Sequence, residues 1–201
     1  TEKSDDFSSR QQRKYWRRNE SNPNFPAIGS TNTIPPEVSN AYLEELTAKT
    51  RSAIARSASE QLRNPRRGLN ELNGFVVLPE NWDDVKLNLE ALATSLQTEF
   101  ALTLPEYGAN ADWVATADVS TVPVIGNDQA VNLGDIPVSM QTLIRSAKEF
   151  NAEGVYRIQQ DVASSVIETA NGDLVVFRIT DTDPTRRPHD VAEVNDSVSY
   201  D

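Results

Sequence analysis

Prolines bracket the most legible element of this chain. Pro35-Pro36 opens, and Asn64-Pro65 closes, a stretch in which Val38, Tyr42, Leu46, Ile54, Ala58 and Leu62 recur at steps of four or eight. A helix accepts proline in its first turn, where the missing N–H has no partner to lose, but not in its interior. The residue before a proline is pushed out of the α region, which stops the helix near Asn64. The spacing therefore predicts one amphipathic helix of about 25–28 residues, long against a mean near 11–12. Its many alanines and serines suit close packing against a neighbour, or an exposed helix linking units.

Upstream the texture differs. Asp5-Asp6-Phe7-Ser8-Ser9 is turn-like, Arg10 to Arg18 reads RQQRKYWRR, and Asn19 to Thr33 is rich in Asn, Ser, Pro and Gly, which favour turns. An arm over residues 1–33 is expected, mostly irregular beyond one or two helical turns. Within it Tyr15 and Trp16 are the candidate arm contacts. Interleaved with cations they suit nucleobase stacking, but they equally suit docking onto the rest of the chain. Charge favours docking. Residues 1–67 hold twelve basic and eight acidic residues, whereas 68–201 hold seven and twenty-two, within a net charge of −11. Such a body repels nucleic acid and anionic lipid.

After the long helix, Asn73-Gly74 signals a turn, and Trp82, Val85, Leu89, Leu92, Ala93, Leu96 and Phe100 form a helical stripe over 81–100, with Trp82 as a core anchor. Leu102 to Leu104, Trp113 to Thr116 and Val119 to Ile125 read as extended pieces. A third helix is expected over 138–150, holding Met140, Leu143, Ile144, Ala147 and Phe150. The clearest β signal is Ser165 to Thr169 and Leu174 to Thr180 joined through Asn171-Gly172, a dipeptide suited to a tight turn with positive φ at both positions. Val175, Phe177 and Ile179 then share a face. Residues 190–198 read as the start of another helix. These elements predict an α+β fold, long helices packed on a small antiparallel sheet with an irregular N-terminal arm. The domain would span 34–188, with 189–201 a truncated helix or tail. A chain opening on Thr1 and stopping there is expected to be a piece of a longer protein.

Composition narrows the chemistry. There is no cysteine and one histidine, so thiol chemistry and thiolate zinc sites are excluded, and any His-dependent triad would fall to His189. His189 stands between Pro188 and Asp190, and a surface role is expected. No glycine-rich phosphate loop or Walker-type Gly-Lys-Ser/Thr is present. Asp181, Asp183, Glu168 and Asp173 offer hard oxygens, yet no twelve-residue calcium loop surrounds them. Thirty acidic residues make some close carboxylate pair inevitable without choosing one. No catalytic, cofactor-binding or metal-binding residue is assigned. No run of 18 apolar residues or secretory leader occurs within the chain.

The order of segments, and above all ETANGDLVVFRITDTDPTRRP leading into Val191-Ala192-Glu193-Val194, resembles the parts that flank the isomerase domain in SurA- and PpiD-type peptidyl-prolyl isomerase chaperones. Gly172, Val175 to Ile179, Asp181, Pro184, Pro188, Val191 and Val194 carry the likeness. The catalytic histidine pair of the isomerase domain has no counterpart, and Asn171-Gly172-Asp173-Leu174 does not meet its GGdLG signature. The resemblance implies a non-catalytic module of a larger cell-envelope or periplasm-facing protein. It would bind unfolded or partner polypeptides and meet a membrane only through other parts of its parent; charge and the missing motifs add that no nucleic acid and no cofactor is expected. Tyr107 and Trp113 are the candidate polypeptide contacts. Two alternatives stand beside this reading: an assembly module whose arm clasps a neighbouring chain, and a carboxylate-based hydrolase.

Overall fold

Helix α1, Glu2–Arg18, forms where no proline or glycine interrupts the chain until Pro23. The structure is a computed structural model and describes residues 2–29, 33–103, 105–110, 112–123, 125–126 and 128–184. Among its described residues, the expected arm over 1–33 is thus irregular only from Asn19 onward. Burial of its aromatic residues supplies what local propensity does not. Tyr15 and Trp16 are buried against Val38, with Phe25, Ile34, Ala41 and Tyr42 packed around them. The Tyr15 ring meets Tyr42 edge-on at 5.5 Å and lies 6.1 Å from Phe25. Trp16 donates its indole N–H to the Pro26 carbonyl at 3.0 Å, and Ser39 donates its hydroxyl to the Gln12 side chain at 2.7 Å.

Helix α2, Pro36–Arg63, has the predicted start and stop and passes into a 3₁₀ turn at Asn64–Arg66. The chain divides into two compact units, Thr1–Arg56 and Ser57–Asp201, so the boundary falls inside α2 rather than between arm and helix. Its apolar stripe is divided in the same way: Val38 is buried in the first unit and Ala58 and Leu62 in the second, while Leu43 and Leu46 between them are exposed.

In the second unit, β1 (Glu71–Leu72) and β2 (Phe75–Val76) form an antiparallel hairpin around Asn73-Gly74, whose φ values are 54° and 79°. The Gln159 side chain continues this ladder like a third strand, accepting from the Val76 N–H at 3.1 Å and donating to its carbonyl at 2.9 Å.

The single helix expected over 81–100 is two, α3 (Trp82–Val85) and α4 (Leu89–Phe100). Lys86 is extended between them, and its ammonium pairs with Asp83 and with Asp161. Asn88 then caps α4, its side-chain oxygen accepting from the N–H groups of Glu90 and Ala91 at 2.8 and 3.1 Å. Trp82 is the predicted anchor, buried with its indole N–H on the Asp161 carbonyl at 3.1 Å.

The expected extended pieces at 102–104, 113–116 and 119–125 are not strands among the described residues; Val119–Thr121 is a 3₁₀ turn with Val119 buried. Strands β3 (Gln129–Ala130) and β4 (Val138–Ser139) pair antiparallel, and α5 covers Met140–Arg145 only. The helix stops short of Phe150, which is exposed. Ser146 donates its hydroxyl to the Leu143 carbonyl and Lys148 gives its N–H to Ile158, which turns the chain away. Gly154 packs so tightly there that a Cβ would collide with the Ser146 carbonyl.

Strands β5 (Ile167–Glu168) and β6 (Leu174–Val175) form the predicted hairpin, but with a different turn. Ala170 and Asn171 take the central positions, Gly172 closes the turn onto the Thr169 carbonyl at 2.9 Å, and only Gly172 has positive φ, at 83°. This is the three-residue loop with a left-handed glycine, not a two-residue turn. Ala130 bridges to Thr169, and the Asn132 side chain pairs with the Val166 carbonyl and the Glu168 N–H at 3.0 Å each, stitching β3 to β5. The core under this sheet joins Val119, Ala130, Met140, Leu143, Ala147, Ile158, Ile167 and Phe177. The expected helix over 190–198, the 189–201 tail and His189 lie outside the described residues.

Candidate functional site

The most distinctive concavity of the second unit is cationic, in a chain whose charge is −11. The last turn of α2, the 3₁₀ turn after it and the extended Arg67 that follows bring Arg63, Arg66 and Arg67 to one cleft. Facing them is the β1–β2 hairpin, with Arg157 beside it. Together they line a cleft of about 630 Å³ whose floor includes Leu62, Phe75 and Val162 and whose one carboxylate is Glu71.

Each guanidinium is held differently. Arg157 has a left-handed backbone, φ 55°, and donates to the Asn73 carbonyl at 2.8 Å. Its guanidinium carbon lies 5.4 Å from the Phe75 ring centroid, and the Lys148 ammonium stands 5.7 Å from the same ring. A cation over an aromatic face is attracted by the ring quadrupole. Arg66 donates through Nε to the Leu62 carbonyl at 3.1 Å and through Nη2 to the Ala163 carbonyl at 3.2 Å. Burial, together with the positive charge of Arg63, lowers the Arg66 pKa below its ordinary value, and Glu71 opposes this. The partly dehydrated Arg66 therefore feels the charge of the exposed Arg63, and Glu71 is the exposed acid that opposes it. Arg67 reaches Glu60 only at 3.9 Å, with both side chains largely in solvent. Such pairs contribute little.

A second charged cluster lies around Asp161. Its carboxylate accepts from Lys86 at 3.1 Å, and hydrogen bonds to Asp83 and then Asp161 raise the Lys86 pKa. Nearby, Arg178 donates through Nη2 to the Leu87 carbonyl while its Nε is buried without a hydrogen-bond partner. Burial lowers the Arg178 pKa, against the attraction of Asp161 and Tyr107. Among the described residues no group of three or more His, Asp or Glu converges to hold a metal ion. No described helix is long and apolar enough to cross a membrane.

Tyr107 and Trp113 lie in the irregular stretch after α4 and are 53% and 69% exposed. Ile136 and Val155 are more exposed still, at 77% and 80%. Tyr15 and Trp16, by contrast, are interior residues of the first unit, which removes their faces from base stacking. The carboxylates singled out from the sequence are not gathered: Glu168 lies in β5, Asp173 closes the turn after it, and Asp181 accepts from the Thr182 N–H. The sequence reading missed the arginine cleft. Arg63, Arg66 and Arg67 at a helix end were a usable signal, but Arg157 arrives from 84 residues beyond Asn73. Compared with protein-family models, with curated proteins and with solved structures, the chain matches none of them.

Proposed function

We propose that this chain is a non-catalytic contact module that holds unfolded or partner polypeptides, as part of a larger chaperone-like protein of the cell envelope. The observation that carries this reading is the exposure of Tyr107, Trp113 and Ile136 along a segment with little regular structure. Large aromatic side chains left in water supply the apolar area that polypeptide contacts use, at low cost in side-chain entropy. An irregular stretch also fits clients of varied shape better than a rigid face does. The hairpin at 167–175, running on through Phe177 and Ile179, supports the resemblance to the chaperone flanks. For the alternative in which the arm clasps a neighbouring chain, the aromatic residues it would use are already buried against Val38.

Light scattering from a thermally unfolding client enzyme tests the reading. Aggregation should fall when the chain is present at equimolar or higher concentration, and the double variant Tyr107→Ala/Trp113→Ala should lose most of that effect. No suppression by the parent chain would contradict the proposal.

A further inference from the structure

We propose that the cleft between Arg63, Arg66, Arg67 and Arg157 binds an acidic segment of a polypeptide, its carboxylates on the guanidiniums. That the ligand is a polypeptide rests on the proposed function; that it is acidic rests on the cleft alone. Four guanidiniums line the cleft with one carboxylate, Glu71, while Glu60 reaches Arg67 at 3.9 Å from outside the lining, and the Arg63 side chain has no hydrogen bond or ion pair among the described residues. Arg66 spends two of its five N–H donors on backbone carbonyls and Arg157 spends one, so both are fixed in place with donors to spare. A planar guanidinium held this way presents a fork that matches a carboxylate edge. An arriving anion also offsets the repulsion between Arg63 and the partly dehydrated Arg66.

Size and field choose a peptide over nucleic acid. A volume of about 630 Å³ takes a few residues. A long polyanion would have to run beyond the cleft along a region with twenty-two acidic and seven basic residues, and a short acidic segment does not.

Fluorescence anisotropy with a labelled Asp/Glu-rich octapeptide tests this on the whole chain. The peptide should bind, more weakly as salt is added, while a matched Asn/Gln octapeptide does not. Arg63→Ala/Arg67→Ala, two solvent-facing changes, should weaken binding about tenfold or more, and Glu71→Gln should tighten it severalfold. Equal binding of the neutral peptide, unchanged affinity in the arginine variant, or tighter binding of a single-stranded DNA oligomer than of the acidic peptide would overturn the inference. The two proposals separate cleanly. Arg63→Ala/Arg67→Ala that loses the peptide yet still suppresses client aggregation supports the cleft and leaves the contact module standing. Failure of client suppression with peptide binding intact removes the contact module alone.

Discussion

The dipeptide Asn-Gly occurs twice in a hairpin here, and the two hairpins are built differently. At Asn73-Gly74 both residues are left-handed and the strands close directly, Leu72 opposite Phe75. At Asn171-Gly172 only the glycine is left-handed, and the loop begins one residue earlier, between Thr169 and Asp173. The difference lies in what surrounds each turn. Thr169 is fully buried and bridged to Ala130, and Asn171 is held by Asp128 through its side chain at 3.1 Å, so the sheet fixes the loop. The hairpin at 71–76 is free on its outer face, where Leu72 is exposed, and is tied inward by Gln159, Arg157 and the buried Phe75 ring. A short motif thus states that the chain reverses, and tertiary contacts select the turn. One hairpin is bound into the core; the other is left as a wall of the cleft.

The largest effect expected from this contrast is in the core hairpin. Ile167→Ala should cost about 2–5 kcal/mol in urea unfolding, because its side chain is buried among Ala130, Met140 and Phe177. Leu72→Ala, on the exposed side of the cleft hairpin, should change stability by less than about 0.5 kcal/mol. Equal losses at the two sites would break the distinction. Gln159→Leu should cost about 1–3 kcal/mol, since it strands the N–H and carbonyl of Val76. Hydrogen exchange should then quicken at Val76 before it does in β5.

Gly74→Ala should cost about 1–2 kcal/mol from its left-handed backbone, and its Cβ, 2.9 Å from the Arg157 guanidinium, should displace that side chain. Acidic-peptide affinity should fall with it; a variant with lost stability and unaltered affinity would show that Arg157 does not contribute to the cleft. The smallest effect sharpens the comparison most. Asn73→Ala should cost about 0.5–1 kcal/mol because position 73 is left-handed, and Asn171→Ala only a few tenths once Asp128→Ala has removed the hydrogen bond between Asp128 and Asn171. The reverse order, read from paired unfolding curves, would mean the two turns are misassigned.

What could be read in advance follows from the range of the forces involved. Pro35-Pro36 and Asn64-Pro65 set α2 through local backbone sterics, and the stripe from Trp82 to Phe100 marked Trp82, Leu92 and Leu96 for burial but also Val85, which is exposed. Its break at Lys86 escaped notice because Asp161, the partner that holds Lys86, lies far along the chain, although Asn88 was a readable cap. Helix α1 went unread because its support is the burial of Tyr15 and Trp16 on Val38, a contact no local pattern records. Residues 113–125 carry β-branched side chains but find no ladder partners among the described residues, and so form turns instead of strands. Tyr107 and Trp113 were readable as contact candidates from type alone, whereas the arginine cleft needed Arg157 brought to Asn73.

The proposed function puts client polypeptides against the exposed aromatic stretch. Site-specific photo-crosslinking tests it most directly, with a benzophenone amino acid replacing Trp113 in one preparation and Asn171 in another. Adducts to an unfolding client are expected from position 113, few from position 171, and few from either with the folded client. Equal labelling from both positions, or none from 113, would contradict it.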